Sequence, residues 1–400
     1  MKIKKLDLIT IIISVMLVHT SLIQRITSWQ GFFYIRWMVA VMLGVFLIFN
    51  IKVILKNNVK IINMVLFVMI ILFCGCSIYS SYLNRSGNMF HVGFFNIIIF
   101  LDTFGVLKYI KEINRTEICV ETIFKILLVY CIINDVLMII APNSFYGNGK
   151  FILYSKFYAV YLHMVLVVLY ASKRKSNKKY LILLWAVALI VSSYMQCSTG
   201  VQGFILLFVL YFLPDGTLNK LRNPIVAIII MIASSLFLIL QQTILSQPLI
   251  QHVITGILGE SSDLNSRVYI YRVLYKIINI NPLWGFGAEN NYAACQKYLV
   301  ISTYESAPDA QNGLVDWIVS YGMIGTVVLL FILFLCFLYV KKKNNNRYLL
   351  SLVYVFFVLG SVEIVFDIIF FFILIAYVYL ECPDHSKADI ILYKNKKRMR

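Results

Sequence analysis

Charge is scarce in this chain. Only 14% of its 400 residues are Asp, Glu, Lys or Arg, while 61% are hydrophobic. A soluble domain could not cover its surface from so small a polar supply, so the solvent for most of the chain is lipid. The eight cysteines form no CxxC pair and show no Cys/His spacing of a zinc site; Cys74 and Cys76 both lie inside an apolar run. A disulfide framework and a zinc centre are therefore not expected. No pair of His, Asp or Glu has metal-ligand spacing. The GxxxxGK[ST], GxGxxG and GxSxG patterns are absent, which removes support for nucleotide hydrolysis and serine-hydrolase chemistry. There is no repeat of 20–50 residues and no low-complexity tract.

What is present is a series of long apolar runs. A membrane-crossing helix needs about 20 mostly apolar residues. Candidates lie near 7–24, 32–51, 61–82, 91–108, 118–141, 152–172, 180–197, 201–213, 224–241, 314–340, 348–364 and 365–381. The expected fold is all-α: a polytopic integral membrane protein of about twelve transmembrane helices. MKIKK before the first run resembles a signal peptide, but no small-residue cleavage site follows, so an uncleaved first span is expected. Basic residues supply the orientation. With a cytoplasmic N-terminus, 26 of the 36 Lys and Arg fall in inside segments and seven in outside segments. That asymmetry predicts both termini in the cytoplasm and a multi-pass protein of the cell membrane. It also accounts for the net charge of +18 as a partner for anionic lipid rather than for nucleic acid.

One long interruption breaks the pattern, at residues 242–313, predicted as a large extracellular loop between spans 9 and 10. The chain then reads as one membrane domain: spans over 1–241, the loop over 242–313, and spans 10–12 with a basic tail over 314–400. Within the loop a helix is predicted from about Asp263 to Ile280, capped by Ser262, Asp263 or Asn265 and stopped before Pro282. It carries Arg267, Arg272 and Lys276 among Tyr269, Tyr271 and Tyr275. Gly285 and Gly287 then mark a tight loop around Trp284. Polar residues inside spans are functional candidates by default. Most have plainer readings: Arg36 and Lys125 snorkel, Asp102 pairs with a neighbouring helix, and His19 and His163 are hydrogen-bonded packing residues. Asp135, beside Asn134, is read equally as structural or as facing a cavity. Glu363 and Asp367 are read as a solvated turn.

Four stretches fall on the predicted outer face: GNGKFILYSKFYAVYLH from Gly147, CSTGVQGF from Cys197 as a turn, NSRVYIYR followed by NPLWGFG, and PDAQNGLVDWIVSYGMIG from Pro308. In order and spacing they resemble the bacterial O-antigen polymerase and O-antigen ligase superfamily, and within it the Wzy-type capsular polysaccharide repeat-unit polymerases of Gram-positive bacteria. The resemblance implies a glycosyltransferase that uses no metal, nucleotide or other cofactor. Its donor would be a glycan on undecaprenyl diphosphate, its acceptor the terminal sugar of another lipid-linked unit, and capsule-assembly proteins its neighbours. Cations that bind the departing lipid diphosphate would stabilise charge developing there. Arg267 matches the family's loop arginine, and Lys156 in SKF, Arg272 and Lys276 are further phosphate candidates. Tyr271 and Trp284 can pack on sugar faces, or anchor at the membrane interface. Ligases carry an arginine in the turn matching GVQG and a histidine in the motif matching AQNG; here Gln202 and Gln311 stand instead. Glutamine cannot accept a proton at neutral pH. Gln311 can still hydrogen-bond a sugar hydroxyl beside Asn312, and Asp309 or Glu305 can serve as base. An O-antigen-ligase-like transferase and a lipid-linked oligosaccharide flippase are the alternatives; the flippase lacks the internal symmetry that class favours.

Overall fold

The structure, a computed structural model, describes residues 31–55, 61–84, 92–143, 153, 155–173, 176–240, 248, 252, 255–256, 267–288, 290–302, 305–306, 309–341 and 346–380. The expected span at 7–24, the proposed caps at 262, 263 and 265, and the basic tail lie outside the described residues. In chain order the helices are α1 (Gly31–Phe49), α2 (Ile51–Leu55), α3 (Ile61–Leu83), α4 (Val92–Glu112), α5 (Thr116–Ile140), α6 (Lys156–Ala171), α7 (Lys178–Tyr194) and α8 (Ser198–Tyr211). They continue with α9 (Asp215–Leu221), α10 (Pro224–Leu240), α11 (Arg267–Ile280), α12 (Asn291–Tyr298), α13 (Gly313–Lys341), α14 (Arg347–Leu359) and α15 (Ile368–Tyr379). The described residues are helical as expected, apart from a short two-stranded antiparallel ribbon, β1 (Val300–Ser302) and β2 (Glu305–Ser306).

Helices α3, α5 and α13 are long and apolar enough to cross a membrane; α8 with α9, bent by 118° at their junction, makes a fourth if taken as one span. Several others are apolar but shorter, α6, α14 and most of α15 among them. At 1.5 Å rise per residue, the 16 residues of α6 reach about 24 Å, short of the roughly 30 Å hydrocarbon core. The chain is an integral membrane protein; of the twelve expected spans, length and apolarity mark three or four among the described residues.

Lipid is as apolar as leucine, so close backbone approach and internal polar bonds hold such helices together. Helix α6 is central, with nearly all of its residues from Tyr158 onward buried. Gly200 of α8 lets that helix lie against Val160, and Gly203 lets it lie against Met164 and Leu359 of α14. The CSTGVQGF stretch is therefore helical from Ser198, not the turn expected, and only Gln196 (φ 51°) and its neighbours turn the chain.

The most consequential feature is in α13. At Gly322 the backbone leaves the helix (φ 67°, ψ −176°) and resumes at once. That conformation is essentially restricted to glycine. The helix thus has two halves, one before Gly322 and one after it. Four backbone groups at the break have lost their helical partners, and in a bilayer each unsatisfied group costs several kcal/mol.

Candidate functional site

The loop supplies those four partners. Met323 N donates to Pro282 O (2.8 Å) and Ile324 N to Leu283 O (3.2 Å). In return Phe286 N donates to Val319 O (2.7 Å) and Gly287 N to Ser320 O (2.9 Å). The NPLWGFG turn is therefore fastened to the broken span by its main chain. No side chain fits between them. A Cβ on Gly322 would stand 2.2 Å from Leu283 O, and one on Gly285 would stand 2.5 Å from Gly322 N. Both glycines, with Gly287, have positive φ. Asn84, just beyond α3, donates to Gly285 O at 2.8 Å, and Asn281 donates to the same oxygen. Ser80 donates to Ser320 O at 3.3 Å. Trp284 is half-buried and meets Tyr79 edge-on at 4.6 Å.

Helix α11 ends at Ile280, as Pro282 predicts, and rests on this platform through a different kind of contact. Ile270, Leu274 and Ile277 form an apolar cluster with Cys295, Leu299, Ala310, Val315 and Val319. Backbone register puts position 267 on that same stripe, three residues before Ile270. Lys276 and Tyr275 are exposed on the far side, and position 272 shares that side by spacing. The side chains of Arg267, Tyr271 and Arg272 lie outside the described residues.

Beneath the clamp is a cavity of about 210 Å³. Asp316, Trp317, Ser320 and Tyr321 line it from the first half of α13, Ser77 and Phe73 from α3, and Thr103 and Phe100 from α4. Ile364, Phe366 and Asp367 come from the turn into α15, and Ala288 and Asn291 from the loop. The two carboxylates differ. Asp367 Oδ1 accepts from Ile369 N (2.9 Å) as the N-cap of α15, so its charge is used on a helix end. Asp316 receives the side-chain amide of Asn291. Asn291 is oriented in turn by Cys295, whose Sγ–H donates to Asn291 Oδ1 at 3.3 Å. Burial pushes the Cys295 thiol up to about 12, with the Asp316 and Asp309 carboxylates adding to it. The thiol stays protonated and keeps the amide turned so that its N–H points at Asp316. Trp317 is held by its indole N–H to Phe366 O (3.1 Å) and by stacking on Phe371.

Three of the four predicted stretches converge beside this cavity, at the C-terminal turn of α14. Lys156, half-buried at the start of α6, donates to Gln196 O at 3.3 Å. Gln202 is half-buried in α8. Gly313 N donates to Gly360 O at 2.8 Å. Asn312 is fully buried: its amide donates to Ser235 O (2.8 Å) and Ser361 O (3.2 Å), and its oxygen accepts from Val315 N. It joins α10, α14 and α13 at one point. Gln311 adopts positive φ (45°), its N–H donating to Asp309 Oδ1 at 2.9 Å, and Asp309 is half-buried. Glu305 lies in β2.

Sequence reasoning missed Asp316, although GLVDWIVSYG was in view, because nothing local distinguishes it from a charge at a helix start. It also treated Asp135 and His163 separately. They meet, His163 Nε2 to Asp135 Oδ2 at 3.0 Å, and His163 Nδ1 pairs with Ala159 O at 2.8 Å. His163 is thus the hydrogen-bonded packing residue expected, with Asp135 as its partner. Asp102 is buried in an apolar groove, and among the described residues its Oδ2 has no hydrogen-bond partner, so the expected pairing is not seen there. Lys125 pairs with Glu121 at 3.0 Å.

These features define a membrane protein with a polar, aromatic-walled cavity built where a loop is fastened to a broken span. Residues 151–330, a little under half of the chain, match the model of the family described as O-Antigen ligase. The match takes in α6 to α12 and α13 as far as residue 330, so this part of the chain is similar to the O-antigen ligase family. No curated protein and no solved structure matches the chain.

Proposed function

We infer that the protein joins oligosaccharide repeat units carried on undecaprenyl diphosphate, at the outer face of the cytoplasmic membrane. The O-antigen ligase match, which spans the loop, the clamp and the start of the broken helix, carries this reading. An acceptor hydroxyl attacks the anomeric carbon of the donor, and the lipid diphosphate leaves. The departing group is anionic, so donors aimed at it lower the barrier. Arg267 is assigned to that contact, with Lys156, Arg272 and Lys276 as further cationic contacts. Tyr271 and Trp284 face sugar rings, and Gln202 and Gln311 hydrogen-bond glycan hydroxyls; Asn312, expected as a further substrate contact, is instead fully buried on Ser235 O and Ser361 O. Glutamine at 202 and 311, where ligases of the resembled family carry arginine and histidine, favours polymerisation over transfer to a final acceptor.

Deletion of the gene tests this. Cells should accumulate single repeat units on the lipid carrier and lose long polysaccharide. Unchanged long chains would exclude the polymerase. The match to the O-antigen ligase family supports transfer to a final acceptor as a second reading, which predicts long polymer accumulating on the carrier instead. The orientation is tested by impermeant thiol labelling of intact cells: a cysteine placed at Ser261 should react and one at Ser176 should not.

A further inference from the structure

We propose that the cavity under the clamp is the subsite for a single sugar ring of the acceptor, and that Asp316 takes the proton from its attacking hydroxyl. This rests on the polymerase reading and supplies the base which Gln311 cannot be. The cavity has hydroxyl groups on its wall. Ser77, Thr103 and Ser320 line it at 4%, 8% and 3% exposure. A hydroxyl both donates and accepts, so these three can meet the hydroxyls of a sugar. Around them stand Trp317, Tyr321 and Phe371, flat apolar faces beside hydroxyl partners, which suits a carbohydrate ring with its polar rim and apolar faces. The volume of about 210 Å³ is below the roughly 300–1,000 Å³ of sites for drug-sized ligands. It suits one ring, with the rest of the repeat unit left in the opening under the loop.

Between the two carboxylates, the surroundings choose Asp316. Asp367 caps α15 through its carboxylate. The side chain on Asp316 is the single amide of Asn291, locked by Cys295, which leaves the second carboxylate oxygen for substrate. In the step the acceptor O–H breaks and its proton passes to Asp316. The oxygen bonds to the anomeric carbon of the donor. The bond from that carbon to phosphate breaks, and its electron pair leaves on the lipid diphosphate. Asn291 is a positioning residue.

The test uses membranes of the deletion strain carrying each full-length variant at matched level, supplied with lipid-linked repeat units extracted from that strain. Turnover and half-saturation are read from the rate of unit joining. Asp316→Asn should lower turnover by about 100- to 10,000-fold, the range for a general base, with half-saturation little changed, and Asp316→Glu should restore part of it. Thr103→Val, which keeps the shape, should raise half-saturation and leave turnover largely intact. Wild-type turnover in Asp316→Asn overturns the base. Unchanged half-saturation in Thr103→Val overturns the subsite, and this second variant still decides if Asp316→Asn does not fold. Wild-type membranes that leave the units unjoined overturn the polymerase reading itself.

Discussion

The loop meets the membrane bundle in two places, and they are built on opposite principles. At Pro282–Gly287 contact is made by backbone: four main-chain hydrogen bonds close the gap at Gly322, and three positive-φ glycines admit no side chain. At α11 contact is made by aliphatic side chains, Ile270, Leu274 and Ile277, on a cushion from α12 and α13. Backbone pairing has a single geometry, because donors and acceptors must align; aliphatic packing tolerates small shifts. The first contact therefore sets the shape of the cavity wall, since Ser320 and Tyr321 belong to the broken span. The second carries the cationic helix and can adjust its seat.

The largest effect expected from breaking this contrast is at the clamp. Gly322→Ala should abolish folded, monodisperse protein in detergent, because the new methyl meets Leu283 O and the φ is unavailable to alanine. Gly216→Ala, where a Cβ meets open space, is the matched control and should be silent. A stable Gly322→Ala would mean that the break is not held as described.

Next comes Arg267→Ala. On a helix that only rests on the bundle, it should leave expression and melting unchanged while lowering polymer formation by about 100- to 1,000-fold, the loss typical for one charge-stabilising donor. Arg267→Lys should recover only part, since an ammonium cannot reproduce the two parallel hydrogen bonds of a guanidinium. Near-normal polymer ladders from Arg267→Ala would shift the role to Arg272 and Lys156.

Ile277→Ala sharpens the comparison from the packing side. Removing a buried isoleucine costs about 2–5 kcal/mol where the site cannot collapse. The lower end of that range is expected for a helix free to resettle, read as a modest drop in melting temperature with the clamp intact. The smallest effect is at Cys295. With its pKa raised to about 12, folding favours the protonated thiol, so its contribution to stability is complete below about pH 9 and fades as pH climbs toward 12. At pH 7–8 it should resist an impermeant maleimide in the folded protein and react after unfolding. Ready labelling would show that the cluster beneath α11 opens.

Much of this was legible in the chain. Pro282 marked the end of α11, and the glycines of NPLWGFG marked a tight turn. Other residues were silent. Gly322 stands in an apolar run where a glycine normally passes as a tolerated helix residue; only the approach of Leu283 reveals it as a break. Asp135 and His163 lie 28 positions apart, and neither announces the other.

By itself the sequence determined the solvent. With so few charges and so many apolar residues, most of the chain must be in lipid. Which helix faces lipid and which faces protein was decided by tertiary structure alone. KFYAVYLHMVLVVLYA of α6 and KKYLILLWAVALIVSSY of α7 are alike in apolarity, yet α6 is buried almost throughout while α7 buries only Ala188 and Ser192. In water the hydrophobic effect would have sorted them by pattern. In a bilayer both faces are equally soluble. The choice falls to small residues that permit close approach and to polar groups that must find each other: Gly200 and Gly203 against α6, His163 with Asp135, and the loop backbone with the open rungs of α13.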